Sequence, residues 1–336
     1  MKTSSLAVLA AVLVAAAQPA LSQDAIQERT IRWGHLQPKD HPVSAGANKF
    51  AQVVEQKSGG KIKVREFPNS SLGSEMQQQS ALQGGTQEMM SASTTTLVGI
   101  VKEFGVLDFP FLFANEKQAD ATLDGLIGAR LLERLPEHGL IGLAYWENGF
   151  RNVTNSKRPI TRAEDLAGLK IRVMQNPVYM DTFKTVNANP VPMAFGELFT
   201  ALETKTVDAQ ENPYSIILGN KFNEVQKYLS VTRHSYNAFI VLMSKQFWDK
   251  LSPAEKQIMQ DAAAEARSYE RQVARAAADR DLAALKAKGM EVNELSPAEV
   301  ARMRELLKPV SEKFAATYDP AFMRDFNAEM ARVRKM

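Results

Sequence analysis

Residues 61–85 read KIKVREFPNSSLGSEMQQQSALQGG, and the fold turns on them. Lys61 to Phe67 switches between polar and apolar at each step, the period-two pattern of a half-buried strand. Pro68 to Gly73 is a loop, and Ser74 starts a helix that Gly84-Gly85 stops. The same rhythm extends outward in both directions. Upstream, Ile31–His35 predicts a short strand, and His41-Pro42 opens a helix with Phe50, Val53 and Val54 on its apolar face, closed by Ser58-Gly59-Gly60. Downstream, helix and strand alternate to about Trp146. Leu169–Val173, Val207–Gln210 and Tyr236–Ser244 predict further strands, and Asn176-Pro177 is an N-cap followed by Pro at the first helical position. Phe195, Leu198, Phe199 and Leu202 recur at helical spacing. This alternation predicts an α/β fold with parallel strands.

The C-terminal part is helical. Leu251–Glu255 and Leu295–Glu299 are two copies of one start signal, with Ser at the N-cap, Pro at the first position and Glu at the third, a capping box. In the second copy Leu295 is placed to staple against Val300. After the first copy Ile258, Ala262, Ala266, Tyr269, Val273 and Ala276 form a stripe that no Gly or Pro interrupts before Gly289. A helix of that length exceeds a small domain, whose diameter is matched by about 20 residues or roughly 30 Å. Its Ala-rich stripe predicts packing across two lobes rather than a coiled coil. No linker divides the chain, so two lobes require more than one crossover. A cleft between lobes is a usual ligand position.

The chain has 336 residues, 41 Lys+Arg against 38 Asp+Glu, and a hydrophobic content of 45%, the profile of a soluble globular protein with material for about two domains. Near-balanced charge gives no reason to expect nucleic acid. The absence of Cys rules out disulfides, thiolate metal sites and cysteine nucleophiles. At the N-terminus Lys2 precedes an apolar run from Leu6 to Ala17, with Ala20 and Ser22 at −3 and −1 of a cut, which predicts a secretory signal peptide over 1–22. The run is too short for a membrane span of about 20 residues. His35, His41, His138 and His234 form no metal-ligand pair, and no nucleophile elbow, phosphate loop or dinucleotide turn is present.

Polar and special residues are densest from Trp146 to Asn212. Alternation puts Arg172 on the opposite strand face from Ile171 and Val173, and a long cation there needs an anion or an exit to solvent. Arg151 follows Gly149-Phe150 at an expected domain crossover.

Several stretches together resemble the DctP-type solute receptors of tripartite ATP-independent periplasmic (TRAP) transporters. They include Gly34-His35, Phe67–Glu75, Asp108–Phe113, Gly149–Arg151, Gly168–Arg172, Gln210–Pro213 and Glu224–Ser230. The resemblance runs from about Trp33 to Ser244. It implies a two-lobe periplasmic-binding-protein-like α/β fold with a hinge, several crossovers and a long helix spanning both lobes. Lobe I would comprise 23–148 plus 235–275, and lobe II 149–234 plus 276–336. The resemblance also implies that Arg172 binds a ligand carboxylate, with Arg151 a second ligand, Asn212 lining the site and Phe195 packing on the ligand. Glu75 and His35 would face the cleft, with Trp146 and His234 as further candidates. Where the usual family text has Gly, this chain has Val186, Lys205 and Ala209.

The function so implied is a periplasmic receptor, not an enzyme, without cofactor or metal. It would take a small organic acid anion, either a sugar acid such as a uronate or aldonate or a C4-dicarboxylate. Its partners would be the small and large TRAP membrane permease subunits, and it would act as a monomer. A secreted hydrolase and a receptor for a non-carboxylate solute are the alternatives; the first predicts turnover, the second an Arg172 facing solvent or an internal acid.

Overall fold

The computed structural model describes residues 25–336, so the signal-peptide reading of 1–22 lies outside the described residues. In chain order the elements are β1 (Arg29–Gly34), α1 (Pro42–Lys57), β2 (Ile62–Phe67), α2 (Glu75–Gln83), β3 (Met89–Ser93), α3 (Glu116–Leu123), α4 (Leu126–Glu133) and β4 (Leu140–Asn155). They continue with β5 (Lys170–Val173), α5 (Pro177–Thr185), β6 (Asn189–Pro192), α6 (Leu198–Glu203), β7 (Ala209–Asn212), α7 (Tyr214–Gly219) and β8 (Tyr228–Ser244). The chain ends with α8 (Lys245–Trp248), α9 (Pro253–Ala287), β9 (Glu291–Glu294), α10 (Pro297–Ala315) and α11 (Pro320–Val333).

The opening stretch folds as its pattern requires. Ser74 Oγ accepts from Gln77 N while the Gln77 side chain accepts from Ser74 N, and Gly84 caps the C-terminus of α2. The strands form one sheet in the order β2-β1-β3-β8-β4-β7-β5-β6, with β9 beside β8. Two outer triplets, β2-β1-β3 and β7-β5-β6, are internally parallel. The expectation of a parallel sheet fails at the centre, where β8 and β4 run antiparallel to each other and to the triplets. These strands have 16 and 17 residues, each about 50 Å long at strand rise, and both triplets hang on them. Sequence patterning finds β8 only from Tyr236, because its alternation is broken upstream. Between Ser230 and Ser235 four residues of β8 face the single Asn152 of β4, and the register also slips between Glu147 and Gly149.

The core lies on the two faces of this shared sheet. Trp33, Phe50, Trp146, Leu198 and Met259 belong to one apolar cluster; Leu82, Tyr145, Ile171, Phe183 and Phe322 belong to the other. Adjacent Tyr145 and Trp146 fall on opposite sides, as the strand period dictates. Both clusters draw on both triplets.

The long helix is present as α9, 35 residues or roughly 50 Å. Its capping box is complete at Ser252 and Glu255. It packs on α1, on β4 and on α7, so it reaches both sides of the central strands. The small Ala262, Ala263 and Ala266 are fully buried, and α1 also offers Gly46, where a Cβ would meet the Trp146 ring at 2.8 Å and Glu270 Cβ at 2.9 Å. The apolar stripe, however, breaks after Ala266 and resumes only at Ala277 and Leu285. Tyr269 is 42% exposed, while Glu270 and Arg271 turn inward. The reason is local: here the helix crosses polar backbone of β4. Glu270 Oε2 accepts from Glu147 N at 2.8 Å, and Arg271 Nη2 donates to Tyr145 O at 3.0 Å.

The second capping box is only half formed. Ser296 Oγ accepts from Glu299 N, but the Glu299 carboxylate reaches Ala163 N at 2.8 Å instead of its own N-cap. Thus α10 is tied to the segment preceding β5. It also packs on α5, whereas α11 packs on α3 and α4. Lys205, one of the positions where Gly was expected, holds φ +59 despite its side chain.

Candidate functional site

A narrow cavity opens between the two triplets, the kind of position that small-molecule sites favour. One wall comes from the β1 and α2 side, through Gln37 and Glu75; the other from the β5 and β7 side, through Arg172, Phe195 and Asn212; the central strand β4 supplies Asn148 and Arg151. Five residues expected from sequence therefore meet there: Arg172, Arg151, Asn212, Phe195 and Glu75.

Arg172 stands in β5 between Ile171 and Val173, which belong to the core, so pleating sends it to the other face. It is 2% exposed. Its Nε and Nη2 donate to Met193 O at 3.0 and 2.8 Å, fixing the guanidinium plane. Its Cζ lies 5.9 Å from the Phe195 ring centroid. Among the described residues no carboxylate lies within ion-pair distance of it. Burial lowers its pKa to about 10, the more distant Glu211 offsetting this in part and Arg151 adding to it. It remains a cation at neutral pH, desolvated and without a counter-ion.

Arg151 is differently placed. It is 1% exposed, and its Nε and Nη2 both bind the Glu211 carboxylate, Nη2 at 2.8 Å from Oε1. Nη2 also donates to Glu211 O. His234 Nε2 lies 3.2 Å from Glu211 Oε2. Burial would raise the Glu211 pKa, but Arg151 and His234 outweigh it and hold the carboxyl below its ordinary value. Arg151 is thus neutralised within the protein, leaving Nη1 as a buried donor without a partner among the described residues.

Glu75, first residue of α2, accepts from Ser93 N at 2.8 Å. Burial pushes its carboxyl up to about 7 against that bond and the pull of Arg172 and Arg151. Asn212 ends β7, and its Nδ2 donates to Gln210 Oε1 at 2.6 Å. Phe195 opens the short turn before α6 rather than sitting on that helix, which begins at Leu198.

Three expected residues are not brought to the cavity. His35, one residue past β1, is buried against Glu66, at 2.8 Å from Nε2, and Leu36 and Gln37 line the cavity in its place. Trp146 is fully buried and stacked on Trp33 at 5.4 Å. His234 touches Glu211, one layer behind Arg151. Asn148 and Glu211 were missed as site residues, although Glu211 stands within Gln210–Pro213 and Asn148 immediately precedes Gly149–Arg151. Among the described residues no cluster of His, Asp or Glu is arranged to hold a metal ion.

The model of bacterial extracellular solute-binding protein, family 7 (DctP) matches residues 33–317. The chain belongs to this family. A solved TRAP periplasmic solute-binding protein from Ochrobactrum anthropi is 47% identical, with TM-score 0.84 over 93% of this chain and 97% of that one. The sugar acid binding protein DctPAm from Advenella mimigardefordensis, solved with galactonate, is 43% identical, with TM-score 0.89 over 92% and 100%. The C4-dicarboxylate-binding protein DctB of Bacillus subtilis is 34% identical over 93% of this chain and 89% of its own length. The mixed α/β architecture with central crossing strands is thus that of TRAP solute-binding proteins. The DctP family is one of receptors, and relatives of this chain differ in the acid they hold.

Proposed function

We propose that this DctP-family chain is exported by its N-terminal signal, captures a small organic acid anion in the periplasm through the Arg172 guanidinium, and delivers it to the small and large TRAP permease subunits. One observation carries the reading: a buried, rigidly held guanidinium faces a cavity with no carboxylate partner among the described residues. A buried charge is tolerated when it is paired, and the fork of Arg172 fits a carboxylate in two parallel hydrogen bonds. The unpartnered Nη1 of Arg151 lines the same cavity and adds one donor. Since Glu211 already neutralises Arg151, one ligand carboxylate suffices.

The two lobes of the proposal are 23–148 with 235–275 and 149–234 with 276–336. The division at 148/149 and 234/235 is supported by the register breaks of β4 and β8, with α11 strapping back to α3 and α4.

Isothermal calorimetry tests the pairing. Arg172→Ala leaves the ligand charge unpaired and should cost about 3–5 kcal/mol of binding. Arg172→Lys should also weaken binding strongly, because an ammonium cannot reproduce the fork. Near-normal affinity in Arg172→Ala removes the proposal.

A further inference from the structure

Two hydrogen-bond chains run from the backbone to the cavity, and each ends in a side-chain amide oxygen. The first begins at Gln226, whose Nε2 donates to the carbonyls of Val225 at 3.0 Å and Asp208 at 3.3 Å. A carbonyl can only accept, so Gln226 Oε1 must point the other way, where it accepts from Thr154 Oγ1 at 3.0 Å. With its proton committed, Thr154 accepts from Gln210 Nε2 at 2.8 Å, and Gln210 Oε1 accepts from Asn212 Nδ2 at 2.6 Å. Asn212 is 3% exposed and lines the cavity. Its Oδ1 makes no hydrogen bond among the described residues.

The second chain starts at the N-terminus of α5. Asn176 Oδ1 accepts from Val178 N at 2.8 Å, and Asn176 Nδ2 donates to Asp108 Oδ2 at 2.9 Å. Thr95 Oγ1 donates to the other Asp108 oxygen at 2.6 Å and accepts from Asn237 Nδ2 at 2.8 Å. Asn237 Oδ1 accepts from Asn148 Nδ2 at 2.7 Å. Asn148 is 8% exposed and lines the cavity, and its Oδ1 is buried without a partner among the described residues. Both amides therefore spend a donor on the protein and keep the oxygen free of protein partners among the described residues.

The charges lining the cavity agree with this polarity. Arg172 is a cation without a counter-ion, Arg151 is matched by Glu211, and Glu75 adds a carboxyl. One ligand carboxylate takes up Arg172, the one cation of the lining without an ion-pair partner among the described residues; a second would find no free cation there and would meet the Glu75 carboxyl.

Resting on the Arg172 reading above, we propose that the site selects a hydroxylated monocarboxylate over a dicarboxylate, with Asn148 and Asn212 as the specificity-determining residues that accept from ligand hydroxyls. A site built to bond hydroxyls rejects analogues that leave its buried acceptors unpaired.

The test is calorimetry on the mature chain with two matched sets: D-erythronate, succinate and butyrate, and D-galactonate, adipate and hexanoate. The tightest ligand should be a hydroxy acid, binding about tenfold or more tighter than the dicarboxylate and the plain acid of its length. Asn212→Leu and Asn148→Leu should each shrink that margin by about tenfold. The wild-type comparison stands even if a variant fails to fold. A dicarboxylate as the tightest ligand, or a margin unchanged in folded variants, overturns the selectivity while leaving carboxylate capture by Arg172 in place. If none of the six acids binds, or binding survives Arg172→Ala, the carboxylate reading itself falls.

Discussion

Arg151 and Arg172 are the same residue type in one cavity, and their surroundings give them different tasks. Arg151 is bound on two nitrogens by Glu211 and holds β4 to β7; Arg172 is bound by one carbonyl and keeps its charge available. Removing Glu211 should make the contrast measurable. Glu211→Gln leaves Arg151 buried and uncompensated, at a cost of about 3–5 kcal/mol of stability. Urea unfolding should show that loss, and succinate should recover stability in the variant more than in the wild type, because two free cations then face the cavity. A loss below 1 kcal/mol would mean that Arg151 is not neutralised by Glu211. Arg172 was legible because it interrupts an apolar strand whose alternation sends it to the other face. The partner of Arg151 was not, because Glu211 lies 60 residues away and meets it only through β4–β7 pairing. His35, Trp146 and His234 show the converse: residue type and motif neighbourhood were informative, but side-chain direction depended on pleat and bulge. At His234 the bulge in β8 decided it, and periodicity cannot locate such an insertion.

Among the elements, α9 shows most sharply what sequence patterning reads and misses. Its start was legible to the residue, since Ser252, Pro253 and Glu255 form a local signal that needs no tertiary partner. Its buried face was legible to Ala266 and then misread, because Glu270 and Arg271 are buried by polar contacts to β4 rather than by apolar ones. Burial raises the Glu270 pKa to about 8, and its neighbour Glu147 adds to the rise. The folded protein therefore binds this proton more tightly than the unfolded chain, whose Glu titrates near 4.5. The contribution is complete below pH 4.5 and is lost as the pH rises toward 8. The melting temperature should accordingly fall between about pH 5 and pH 8, and Glu270→Gln, neutral at every pH, should flatten that slope in differential scanning calorimetry. An unchanged slope in the variant would show that Glu270 does not carry it.

At the scale of the molecule, two long strands and one long helix join everything on one side of the cavity to everything on the other. Arg172 and Asn212 are nearly sealed from solvent, so a ligand that reaches them needs a wider opening first. We expect small-angle scattering to give a smaller radius of gyration with a bound acid than without it; an unchanged radius at saturating ligand would count against closure. The two-sided architecture was legible from the α/β rhythm and the unbroken α9. The shared central sheet was not, because antiparallel pairing of β4 with β8 joins residues almost a hundred positions apart, beyond the reach of local patterning. The chain from Gln226 to Asn212 has a consequence for descent. The Asn212 amide, which lines the cavity, takes its polarity from a residue three links away, outside the cavity lining. A lineage could exchange Gln226, reverse the chain, and turn an acceptor into a donor while every cavity-lining residue stayed the same. Paralogues with identical cavity linings can then part company in diet, and the mutation responsible would pass in an alignment for neutral drift.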